Sequence, residues 1–133
     1  MKKLSVIFVV LVLTVFIFSA SGAEIKNGTP SHAVKTFFIS MAKADLTTAE
    51  KVVGDKEIAA MLKMIHEVIK DTPEYRNEVL KEFAGYDKVE IISERISGNS
   101  ATVEAKYQAK GKIEKMTLKL NKVGGVWKIV ESY

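Results

Sequence analysis

Two histidines, His32 and His66, are the side chains of this sequence whose ordinary pKa lets them gain and lose a proton near neutral pH. His66 falls at the edge of an apolar helix face, where an imidazole can reach into a cleft and act as a base. A working base also needs a partner to hold its tautomer. Glu67 and Asp71 do not share its face, so the plainer role is a half-exposed histidine bonded to a neighbour. His32 falls in the first turn of another helix, on the side away from the apolar residues. The two histidines show neither His-x-x-x-His nor His-x-x-Glu spacing, and no metal site follows.

Arg76 lies one turn before Leu80 on an apolar helix side, in a first turn where the dipole disfavours a cation. That position asks for something negative: an anionic ligand, or a carboxylate such as Glu82 paired with a snorkelling guanidinium. Tyr75 and Tyr107 carry phenols of the kind that stabilise an enolate when a carboxylic acid sits beside them. No Asp or Glu falls on an inward strand position to complete that pair, and Tyr107 reads equally as an amphipathic sheet residue with a wet hydroxyl. Met41, Met61, Met64 and Met116 are either core filler or the lining of an adaptable cavity. A pocket, if present, is expected to be walled by Phe37, Met41, Met61, Ile65, His66, Arg76 and Tyr107. No residue is assigned a catalytic role, and neither a metal nor a cofactor is expected.

Cysteine is absent, which removes disulfides, thiolate metal sites and the lipid-modified cysteine of a lipoprotein. The 20 Lys and Arg exceed the 16 Asp and Glu, but two lysines sit at the N-terminus and the rest interleave with acids. That argues against a nucleic-acid surface. Lys2 and Lys3 precede an uncharged run from Leu4 to Phe18 and the small residues Ser19-Ala20-Ser21-Gly22-Ala23, the order of an export signal cut after Ala23. The alternative is an uncut anchor, since Leu4 to Ala23 nearly reaches the length that spans a bilayer. The expectation is a bacterial-style signal over 1–23 and one domain over 24–133, periplasmic or secreted. Asn27-Gly28-Thr29 matches a glycosylation sequon but runs into Pro30, and is read as a helix cap.

The elements that must position these groups come in two kinds. Thr29-Pro30 starts a helix to about residue 43 with Val34, Phe37, Phe38 and Met41 on one face. A short helix spans 46–53, capped by Asp45 or Thr47. A third, capped by Asp55, spans about 56–70 with Ile58, Leu62, Ile65 and Ile69 inward. Thr72-Pro73 repeats the cap-plus-proline signal and starts a fourth helix that Gly85 ends. From Asp87 the period changes to two, and Gly98-Asn99, Lys110-Gly111 and Gly124-Gly125 divide the rest into four strands of a sequential antiparallel meander. Helices first and an amphipathic sheet second is an α+β order, with the helices on one face of the sheet.

Thr29-Pro30…Ala33-Val34…Phe37-Phe38…Asp45-Leu46, then Tyr86-Asp87-Lys88-Val89-Glu90-Ile91, Gly98-Asn99-Ser100-Ala101-Thr102-Val103 and Val123-Gly124-Gly125-Val126-Trp127-Lys128-Ile129, resemble a small exported NTF2-like domain. The chain is most similar to the DUF4878, lumazine-binding-like group. The resemblance implies a cone with a curved four-stranded sheet around the first helix and a pocket at its wide end; it implies no reaction, because that superfamily includes isomerases, dehydratases, transport adaptors and non-catalytic binders. Three functions stand open. The first is an exported non-enzymatic domain that binds a small apolar or amphipathic ligand, or an envelope protein partner. The second is an isomerase- or hydrolase-like enzyme using His66 with Tyr75 or Tyr107. The third is a structural or interaction module, a homodimer through its sheet.

Overall fold

The computed structural model describes residues 28–133, together with the backbone of Ile17 and Phe18. The expected signal over 1–23 and its cleavage point otherwise lie outside the described residues. Helix α1 (Pro30–Ala42) begins where Thr29 accepts the His32 N–H at 3.2 Å and Pro30 occupies the first turn, where its missing donor costs nothing. It is capped by Lys43, and the chain turns away at Ala44, a left-handed residue with φ of 56°. Helix α2 (Leu46–Lys51) is capped by Asp45, whose carboxylate takes the Thr48 N–H at 3.2 Å and the Thr48 hydroxyl at 2.6 Å. Those two donors hold the Asp45 carboxyl below its ordinary range. Helix α3 (Lys56–Asp71) is capped by Asp55 through the Ile58 N–H at 2.9 Å.

The second proline signal works differently from the first. Thr72 closes α3 rather than opening the next helix, and α4 (Tyr75–Glu82) starts after Glu74 with no side-chain cap. Pro73 therefore sits in the linking turn, where its carbonyl accepts the Arg76 N–H. The chain then passes Gly85, where φ is 97° and an added Cβ would lie 3.0 Å from Gln108. Only glycine fits there.

The sheet is antiparallel, with strands β1 (Ile17–Phe18), β2 (Glu90–Ser97), β3 (Ser100–Ala109), β4 (Lys112–Val123) and β5 (Val126–Ser132) in sequence order. The four long strands form the expected meander. Its three hairpins turn at Gly98-Asn99, Lys110-Gly111 and Gly124-Gly125; both residues of the last two turns have positive φ, the backbone a tight two-residue turn of that type requires. The fifth member is a two-residue addition from within the expected signal, pairing Ile17 with Arg95 and Phe18 with Glu94. At the other edge, Val53 bridges Ile129 in parallel, Gly54 donates its N–H to the Ile129 carbonyl at 2.7 Å, and Ile129 donates to Val52 at 2.8 Å. That short cover occupies part of an edge that would otherwise offer unpaired groups.

Helix α1 is shared by two cores. Its Ala33, Val34 and Phe38 pack on the sheet's Ile91, Val103, Ala105, Leu118 and Trp127. Its Met41 joins Leu46, Ala49, Val53, Leu62 and Val79 in a helical core, and Phe37 touches both. Trp127 is 6% exposed, and in an inward phase with Ile129, as the alternation after the glycine turn requires. Without a disulfide, stability rests on this packing. Trp127→Ala is expected to lower the unfolding free energy by about 3–5 kcal/mol, read as a fall in the urea midpoint at unchanged slope.

Candidate functional site

The space between α1 and the start of the sheet is occupied by rings. Phe38 lies 4.9 Å from Tyr107 and 5.0 Å from Tyr86, centroid to centroid, and Tyr86 lies 5.2 Å from Tyr107 and 5.1 Å from Phe83. These are the tilted and edge-on contacts that aromatic quadrupoles favour. Burial pushes the Tyr86 phenol above its ordinary value, with Tyr107 and Glu82 adding to it. Burial does the same at Tyr107, with Glu114 adding. A phenol held neutral in this way is a packing element whose hydroxyl stays protonated through the physiological range.

The seven expected wall residues are spread over different surroundings. Phe37 and Ile65 pack against the helical core and Met41 belongs to it, while Tyr107 packs against the sheet core. Met61, His66 and Arg76 are exposed. No hydrogen bond among the described residues joins His66 to Tyr75 or Tyr107. In place of the anion or carboxylate expected beside Arg76 there is a peptide carbonyl: its Nη2 donates to Lys43 O at 3.0 Å. Lys43 caps the C-terminus of α1, so the guanidinium meets the negative end of that helix rather than an anionic ligand or Glu82. His32 is also corrected, since it is half-buried and lines a cleft beside Trp127 instead of pointing to open solvent. The methionines divide likewise: Met41 is buried and Met116 half-buried, whereas Met61 and Met64 are exposed.

One inward carboxylate went unread in the sequence. β2 carries a bulge between Ile91 and Ser93, which turns Glu94 to the inner face beside Val103. Its Oε1 accepts both the Ser31 N–H at 2.9 Å and the Ser31 hydroxyl at 2.8 Å, and both residues are buried. The signal for it was the five-residue step from Ile91 to Ile96, which cannot place both on one face without an extra residue. Glu94 joins the first turn of α1 to the sheet, a positioning contact and not a catalytic one.

The helical layer leaves a second feature. The main neighbours of α3 are α2 and α4, and only Leu62 of its residues is buried. Met61, Met64 and Val68 are 46%, 62% and 38% exposed, and Tyr75 at the start of α4 is 39% exposed. Glu57 precedes Met61 by one turn, Glu67 follows Met64 and Asp71 follows Val68 by three residues, which sets carboxylates along this stripe. Lys63 lies on another side and pairs with Glu50 at 3.4 Å. Glu57, Glu67, Asp71 and Glu74 take part in no ion pair within 4 Å among the described residues. Nor do three His, Asp or Glu side chains gather there as a metal site would need.

An antiparallel meander with successive helices on one face is an α+β domain. A family model described as "Domain of unknown function (DUF4878)" matches residues 19–130, and the chain belongs to that family. No curated protein matches the chain.

Two tests follow from these contacts. Glu94→Ala strands the two Ser31 donors and is expected to cost about 1–3 kcal/mol, while Glu94→Gln, which keeps an acceptor, loses less in the same denaturation series. For the phenols, the folded pKa lies above the ordinary 10.0, so their contribution is complete below that pH and is lost as pH rises through the raised value. The melting temperature of the parent should fall above pH 10 more steeply than that of Tyr107→Phe or Tyr86→Phe, by circular dichroism.

Proposed function

We propose that this chain is an exported, non-enzymatic NTF2-like binding module of the cell envelope, and that the outer face of α3 is where it docks a protein partner. The observation that carries the reading is Met61, Met64 and Val68 standing in solvent on the strongly amphipathic α3, with Tyr75 exposed at the start of α4. Isolated exposed apolar residues are ordinary; a row of them on consecutive turns of one helix is a docking stripe. Its acidic border selects the occupant: a helical or extended segment with apolar anchors and flanking Lys or Arg.

Several facts support this over the alternatives. An enzyme of this type needs a base and an orienting partner in one cleft, and His66 is exposed with neither Tyr75 nor Tyr107 bonded to it. A dimer through the sheet needs an apolar outer face, and the outward positions here include Arg95, Thr102, Glu104, Thr117, Lys119 and Asn121. Export rests on Lys2-Lys3 and the apolar run that follows, and the NTF2-like cone on the helix-then-meander order and two register shifts in the sheet, of the kind by which a strand bends. No described helix is long and apolar enough to cross a membrane.

The test uses a labelled amphipathic peptide of leucine and lysine and its leucine–glutamate counterpart. Fluorescence anisotropy is expected to show saturable binding of the lysine peptide only. The double variant Met64→Glu with Val68→Glu should abolish it while melting close to the parent, because both side chains are exposed. Equal binding of the two peptides, or undiminished binding by the variant, would overturn the reading.

A further inference from the structure

A cleft of about 300 Å³ opens between the first turns of α1, the end of α2 and the β4–β5 hairpin. Its wall is mostly apolar, formed by Val52, Val126 and the edge of Trp127, with His32, Thr36 and Lys51 among its polar groups. The volume sits at the lower end of small-molecule sites. It lies apart from the ring cluster of Phe38, Tyr86 and Tyr107 and from the stripe on α3, none of whose residues line it.

Three details give the cleft a chemical direction. Val126 is 48% exposed although it follows a tight turn where a polar residue would be more soluble, so the mouth of the cleft is apolar. Lys51 forms no ion pair within 4 Å among the described residues. Asp45, whose charge it feels, already has its carboxylate bound to the N–H and hydroxyl of Thr48. Among the described residues no carboxylate lines the cleft, so the charge they give it is that of the Lys51 ammonium, with an imidazole and a threonine hydroxyl to add donors.

We infer that this cleft binds a small amphipathic anion, a carboxylate or sulfonate on an apolar body, with Lys51 meeting the head group and Val52, Val126 and Trp127 meeting the body. An apolar wall alone would accept a neutral molecule equally well. The unpaired lysine beside it supplies the difference between the two, because a charge-assisted contact is available only to the anion.

Trp127 is the single tryptophan of the chain, so its emission reports from the wall of the cleft. The experiment titrates decanoate, and decan-1-ol as its neutral counterpart, into the chain as its host produces it. Decanoate is expected to shift the emission saturably and at lower concentration than decanol. Lys51→Gln should raise the decanoate midpoint about tenfold and leave decanol unmoved, while Val126→Asp should weaken both. Lys115→Gln, near the opposite end of β4, should change neither. Melting curves of the variants verify that each is folded. The inference is overturned if decanoate leaves the emission unchanged up to its solubility limit. It also fails if decanol binds as well as decanoate, or if folded Lys51→Gln binds decanoate like the parent.

Discussion

The contact on which the arrangement turns is the double hydrogen bond from Ser31 to Glu94. A carboxylate inside a small protein is costly unless its lone pairs are used, and here one oxygen receives both a peptide N–H and a hydroxyl from the first turn of α1. The positive end of that helix adds to the same balance. The bond therefore fixes where α1 starts along the sheet. From that origin its successive turns deliver Val34 to the sheet core, Phe38 to the rings and Met41 to the helical core. A shift by one residue would turn each away from its partners.

The bulge that permits this contact also explains which parts of the molecule were legible in the sequence. Local signals worked where local chemistry decides the outcome. Thr29 and Asp55 cap the helices they were expected to cap, Asp45 rather than Thr47 caps α2, and the glycine-containing dipeptides turn the hairpins where period two breaks. Thr72-Pro73 shows the limit of such signals, since the same two residues can close one helix as readily as open another. Glu94 was missed because strict alternation from Ile91 sends it outward, and only the extra residue in β2 brings it in. Arg76 was expected to meet an anion or a carboxylate such as Glu82 and instead donates to a backbone carbonyl at a distant helix end, which leaves no mark in its own segment.

The surfaces were harder to read than the elements. Amphipathicity of α3 was plain from Ile58, Leu62, Ile65 and Ile69, yet spacing alone cannot say how much of an apolar arc a neighbouring helix will cover. Here α2 and α4 cover the side around Leu62 and leave Met61, Met64 and Val68 uncovered. His32 was misplaced for the converse reason. Its own helix points it away from the core, and the cleft it lines is created by α2 and by a hairpin that arrives about ninety residues later in the chain.

The parallel bridge between Val53 and Ile129 carries a consequence for how this chain comes to be folded. It joins the helical half to the last strand, while Ser31 and Glu94 join the first helix to the first long strand, 63 residues away. Such distant closures must be reached against the entropy of the intervening loops, which slows folding. Neither core can be completed while the C-terminal strand is still missing, because Trp127 and Ile129 belong to one and Val53, the residue that strand ties down, belongs to the other. Both cores therefore close only once nearly the full length of the polypeptide is available, which makes the last strand the step that completes the domain.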